Sequence, residues 1–302
     1  MSVWIQQRIW RLLALAIGLA VTIVLFASPV LSKLPPLRSH LLPSSLANWN
    51  DPNSTGDYFD QVKRLPVGYL VWSEFPITIY IQPLTPEEAV NPFTTQRAKN
   101  WIDAVSKAVQ EWHLYLPLKV VEQSAGADIT VWRSPPPLRL EAASAERTGA
   151  MREGRPSLSL GRARSAETRF EFYAKPIPPQ ASGTETEETE NEDTRTRGQG
   201  TKNNSNLKPE TSPPPPSPTL FSQRFTIHLR PDQAPAYLQA AARHELGHAL
   251  GIWGHSLLET DVMYFSQVRN PPPISPRDLN TLKRIYEQPT RVGWRCPSEE
   301  CG

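Results

Sequence analysis

The chain has 302 residues, with 32 Lys and Arg against 30 Asp and Glu and a formal net charge of +2. That length allows one or two domains, and the near balance of charge leaves no electrostatic footprint for a nucleic acid. The only two cysteines, Cys296 and Cys301, exclude a Cys-rich metal site; they stand close enough to close a small disulfide loop in an oxidising compartment.

Arg8 and Arg11 precede an almost wholly apolar run from Leu12 to Val30. The run is longer than most signal-peptide cores and close to the shortest spanning helix. Residues 1–32 therefore read as a signal peptide or an N-terminal membrane anchor. Either keeps the positive flank in the cytoplasm and sends the rest across the membrane. The domain is then secreted, periplasmic, or anchored by a single helix and facing outward. Residues 33–66 are rich in Pro, Ser and Asn and read as a linker or pro-region. The folded domain is expected over 67–288.

Ile77 to Ile81 alternates β-branched and aromatic residues, which predicts a strand ended by Pro83 and Pro86. Ala98, Trp101, Ile102, Val105, Ala108, Val109 and Trp112 then recur at helical spacing. Thr94 or Thr95 can cap this helix and Pro117 stops it. Leu118–Glu122 and Ala127–Trp132 read as two more strands. Strands alternating with an amphipathic helix predict an α+β fold, a mixed twisted sheet with a helix packed on it. The arginines of residues 138–175 are interleaved with glutamates and read as a solvated surface rather than a basic patch. Thr168–Ala174 can form a strand with Phe170, Phe172 and Tyr173 on its apolar side. Residues 176–219 are acidic, then polar, then proline-rich, and read as a disordered insertion. Closing such a loop costs little, and its ends must lie close together. Phe221–Leu229 resumes strand alternation. His228 on it reads as a polar face residue, with a second metal site as the lesser alternative.

A helix is expected from Pro235, suited to a first-turn position, to about Leu250. His244 and His248 are four apart and share one face of it, so two imidazoles can converge on one metal ion. Glu245 lies beside the first and can reach a metal-bound water without being a ligand. This is the helix-borne arrangement of a zinc protease with Glu as general base. Gly251 tolerates the left-handed backbone that ends a helix, and the turn would return His255 as third ligand. Three ligands leave a fourth position open, which separates catalytic from structural zinc. Glu259 or Asp261 is the alternative, acidic third ligand. Downstream, Asp261-Val262-Met263-Tyr264 resembles the Met-turn, a tight loop that passes beneath the metal in proteases of this kind. Ser275 as cap, Pro276 in the first turn and Asp278 as reciprocal acid start a final helix. Leu279, Leu282, Ile285 and Tyr286 on it face the core. Residues 289–302 are expected to be an exposed tail.

Helix, Gly turn, third His and Met in this order resemble the metzincin clan. His244-Glu245-Leu246-Gly247-His248-Ala249-Leu250-Gly251, followed by His255-Ser256 and Met263-Tyr264, is most similar to the matrixins, the matrix-metalloprotease family. Ala127-Asp128-Ile129 and the opening order of strands and helix add to the likeness, which covers roughly residues 70–287 without the insertion. The chain departs from the pattern at one place. Ile252, Trp253 and Gly254 put His255 four residues after Gly251, one more than in matrixins, and Gly254 could widen the turn.

The resemblance implies a zincin-like catalytic domain holding one catalytic zinc on His244, His248 and His255, with Glu245 as the base in hydrolysis of a protein or peptide. It also implies an edge strand that binds the substrate backbone, supplied from residues 138–175. A pocket shaped by residues 264–272 would take the side chain after the scissile bond. A structural zinc or calcium, often present in matrixins, finds no clustered ligands, and calcium stays open. No cysteine precedes Cys296, so a matrixin-type thiol switch is not expected. The protein is expected to be a monomer. The rival reading is a membrane-tethered, non-catalytic binding or scaffold protein on the same fold; the intact Glu245 argues against it.

Overall fold

The computed structural model describes residues 34–137, 140–142, 158–160, 164–177, 218–296 and 301. The expected signal or anchor lies outside these residues, as do most of the 176–219 insertion and most of the arginine-rich stretch. Among the described residues no helix is long and apolar enough to cross a membrane.

Seven strands occur in the described chain: β1 (Ile77–Ile81), β2 (Leu118–Val121), β3 (Ile129–Trp132), β4 (Leu140–Ala142), β5 (Leu158–Leu160), β6 (Ala166–Pro176) and β7 (Thr219–Leu229). Five of them form one sheet in the order β2-β1-β3-β7-β6. The first four run parallel and β6 lies antiparallel along the edge. β4 and β5 make a separate antiparallel pair. The helices are α1 (Ser44–Ala47), α2 (Pro86–Ala89), α3 (Pro92–His113), α4 (Pro235–Ala249) and α5 (Pro276–Tyr286). A mixed sheet with packed helices is the α+β arrangement the alternating patterns predict.

Strict alternation marks which side of the sheet is covered. Phe221, Gln223, Phe225, Ile227 and Leu229 of β7 are buried while their neighbours are partly open. Side chains two apart share a face, so the helices cover one face only. Ile77, Ile79, Ile129 and Val131 join the same core. The predicted apolar stripe of α3 is buried, apart from the partly open Ile102. Indole groups tie it in place. Trp101 Nε1 donates to Leu229 O at 3.1 Å and Trp112 Nε1 to Arg243 O on α4 at 2.9 Å.

The start of α3 differs from expectation. Asn91 is its cap, accepting from Phe93 N at 2.8 Å, with Pro92 in the first turn. Asn is as strong a cap as any residue, and the following proline is pre-set for a helical first position. Thr94 and Thr95 instead donate to Glu88 O at 2.8 and 2.9 Å. They fasten α2, itself capped by Thr85, to α3.

The ends of the insertion do meet. Pro176 pairs with Thr219, and Ile177 N donates to Pro218 O at 2.9 Å. Two other segments depart from expectation. Residues 34–66, read as a linker or pro-region ahead of the folded domain, are packed into it: Leu46, Tyr58 and Val62 belong to the core. The tail is packed as well, with Thr290, Val292 and Cys301 buried and Cys296 disulfide-bonded to Cys301. The two segments satisfy each other, since Arg38 N donates to Thr290 O at 3.0 Å and Thr290 N to Arg38 O at 2.9 Å. Their polar composition reflects irregular backbone rather than exposure.

Trp112 is fully buried between α3 and α4. Trp112→Ala is expected to cost about 3–5 kcal/mol of stability, measured by urea denaturation.

Candidate metal centre

The site is built on α4 and the loop that follows it. Pro235 opens the helix at its first turn and Leu250 is its C-cap. Gly251 then takes φ +128°, and a Cβ there would lie 2.6 Å from Leu70 O. Only glycine suits both the backbone and the space. Inside the helix, Gly247 faces the Met263 thioether, which a Cβ would overlap, and Trp112 closes the other side. Met263 is fully buried beneath the helix.

The imidazoles are held through their inner nitrogens. His244 Nδ1 lies 2.8 Å from Val262 O, and His248 Nδ1 lies 2.7 Å from Ile252 O. A carbonyl can only accept, so both Nδ1 atoms carry the proton and both Nε2 lone pairs are free. His255 completes the group. Its ring centroid is 5.3 Å from that of His244 and 4.8 Å from that of His248. One ligand atom from each of the three lies within 4.8 Å of the others. Among the described residues no other group of three His, Cys, Asp or Glu converges in this way.

The loop between Gly251 and His255 packs on the segment before the first strand. Val62 bridges to Gly254, and Lys63 N donates to Trp253 O at 3.0 Å. A Cβ on Gly254 would overlap Gln61 O and come within 2.8 Å of Val62 Cα. Gly254 is thus needed for this close approach. Trp253 fills the space above, edge-on to Phe170 at 4.9 Å and against the His248 ring at 5.5 Å.

The acidic alternatives are placed elsewhere. Glu259 is exposed. Asp261 is buried and accepts from Ser256 Oγ at 2.5 Å, Ser275 Oγ at 2.8 Å and Arg277 Nε at 3.1 Å. It fixes the loop and does not join the imidazoles. Asp278 caps α5 with Ser275 in the predicted box, and does more. Its carboxylate also accepts from Val262 N at 2.9 Å and Tyr58 Oη at 2.6 Å. His228 is set apart, with Nδ1 2.9 Å from Ser134 Oγ.

Burial governs the electrostatics. It pushes the His248 imidazole well below its ordinary pKa. His255, the exposed member of the group, is brought down to about 4 by partial desolvation of its ring, then by His244 and Lys63. Both rings are neutral at pH 7, the form that can donate a lone pair. Burial likewise pushes the Glu245 carboxyl up, against the opposing pull of His244 and of Thr168, whose Oγ1 donates to Glu245 Oε2 at 2.5 Å.

A cavity of about 320 Å³ opens beside His244 and Glu245, lined among others by Tyr237, Val262, Tyr264, Val268 and Pro271. Three contributors escaped sequence reasoning: Thr168, Trp253 and the second role of Asp278. A threonine in phase with Phe170 and Phe172, on the apolar side of its strand, was the available signal for the first.

No family model and no curated protein matches the chain.

Gly247→Ala is expected to lose about 1–3 kcal/mol by overpacking against Met263, read by chemical denaturation, with a shift of Met263 visible in a crystal structure.

Proposed function

We propose that this protein is a zinc-dependent endopeptidase of the metzincin type, most similar to the matrixins. The observation that carries the reading is the convergence of three imidazoles, two of them on the helix that also carries the half-buried Glu245. Three imidazole nitrogen donors, two of them on rings anchored to a backbone carbonyl, suit zinc. His244, His248 and His255 would hold it. Bound there, zinc would supply Lewis-acid chemistry, drawing electron density from a scissile carbonyl and acidifying water.

The chain's own groups do the rest. Glu245 stands one residue from the first imidazole. Its carboxylate takes the proton of the attacking water and passes it to the leaving amine. Val262 O and Ile252 O keep two rings in one tautomer and one orientation. Among the described residues β6 has a single sheet neighbour, β7, and its other edge is the one that would add an extended substrate as a further strand. This strand falls within the region expected to supply that edge. The cavity beside His244 includes residues from Tyr264 to Pro272, the stretch expected to receive the side chain after the scissile bond. The domain would act outside the cytoplasm, exported or anchored by the apolar N-terminal segment.

Glu245→Gln is expected to keep zinc and the fold while kcat on an unstructured peptide falls by about 10²–10⁴-fold, the usual range for losing a general base. Undiminished cleavage by the purified variant would remove the mechanism. Zinc bound to the wild type with no cleavage of any unstructured peptide would favour the scaffold reading. His255→Ala is expected to lose zinc, measured by metal analysis after dialysis, whereas Glu259→Ala keeps it; the reverse pattern would restore an acidic third ligand.

A further inference from the structure

The edge strand carries one polar side chain that points at the centre. Thr168 stands on β6 opposite Ile227, and is only 7% exposed. Alternation puts it on the same side as Phe170 and Phe172. Phe170 packs on Phe225 and Trp253 there. A hydroxyl on an apolar face must find an acceptor or cost stability. Both acceptors recorded for it belong to Glu245: the carboxylate Oε2 at 2.5 Å and the backbone O at 3.2 Å. A hydroxyl has one proton, and the nearer, charged oxygen takes it.

We propose that Thr168 is a positioning residue for Glu245. It holds Oε2 so that the carboxylate lies in one plane and the other oxygen is left to carry the proton. The proposal rests on the peptidase reading given above. A glutamate side chain has three rotatable bonds, and its tip can wander even when its backbone is fixed in α4. Thr168 removes that freedom from the strand packed directly on α4. Phe170, wedged on Trp253 two residues along, keeps the strand at the height the hydrogen bond requires. The same strand would then both receive substrate and orient the base. A peptide that displaced β6 would uncouple the base as well.

The test uses Thr168→Val, which keeps the shape and removes the donor, and Thr168→Ser, which keeps the donor. The full zinc-loaded chain is assayed on an unstructured peptide. The valine variant is expected to lower kcat by about 10- to 100-fold, the scale of misplacing a reacting group by about 1 Å. KM, zinc content and unfolding midpoint should stay near wild type, the pattern of an interaction used only in the transition state. Serine should restore most of the rate. In a Glu245→Gln background the valine change should cost nothing further, because the two residues act as one unit.

A second readout is independent of activity. Crystal structures of the metal-free forms should show Glu245 in one rotamer in wild type and the serine variant, and in several in the valine variant. An unchanged kcat, a loss matched by lower stability without serine rescue, or a single unaltered Glu245 rotamer in the valine variant would overturn the proposal. If the valine variant does not fold, Thr168→Ala replaces it with the same expectations. A wild type that cleaves nothing would sink the peptidase reading, while the rotamer comparison would still decide whether Thr168 holds Glu245.

Discussion

A buried carboxylate that never faces the cleft holds the site together. Asp278 takes hydrogen bonds from Val262 N, Ser275 N and Tyr58 Oη, at 2.9, 2.8 and 2.6 Å. One acid thus joins three pieces of chain: the turn under the centre, the start of α5, and the segment that runs in from the N-terminal side. The same Val262 presents its carbonyl to His244. The first imidazole is therefore oriented through a peptide whose N–H, on Met263, donates to Asp278 Oδ1 at 3.4 Å. Removing a partner from such a buried set leaves charges and donors unsatisfied, which costs more than the bond itself contributes. The neighbouring Asp261 repeats the device one step out, tying Ser256, Ser275 and Arg277.

Steric fit supplies the second half of the order. α4 can lie against Trp112 and Met263 because residue 247 has no side chain, and it can stop against Leu70 because residue 251 has none. The loop carrying His255 can press on Gln61 and Val62 for the same reason at Gly254. These contacts leave two rings with one tautomer and one direction, ready for any ion the group would bind. Preorganisation of this kind spares the cost of ordering ligands at the moment of binding.

Much of this was legible in the sequence where a pattern repeats. The alternation of β1 and β7 and the stripe of α3 reveal themselves because each buries a single face. The pair His244 and His248, the stop at Gly251 and the box of Ser275 with Asp278 are local, so spacing alone finds them. What stayed hidden was held by single residues or by distant partners. Leu46, Tyr58, Val62 and Thr290 anchor irregular segments with no period to betray them. Asn91 displaced Thr94 and Thr95 as cap because three plausible caps stood within five residues, and the choice depends on Glu88 as an alternative acceptor. Thr168 and Glu245 are 77 residues apart in the chain, and only the register of β6 on β7 brings them together.

The central claim is that three imidazoles form an open, nitrogen-only site for zinc. Zinc-edge X-ray absorption on the zinc-loaded full chain tests it most directly. The account predicts one zinc per chain with three imidazole nitrogens at about 2.0–2.1 Å and one further light ligand, the signature of a catalytic zinc site. Sulfur in the shell, fewer than three imidazoles, or no tightly held zinc would contradict it.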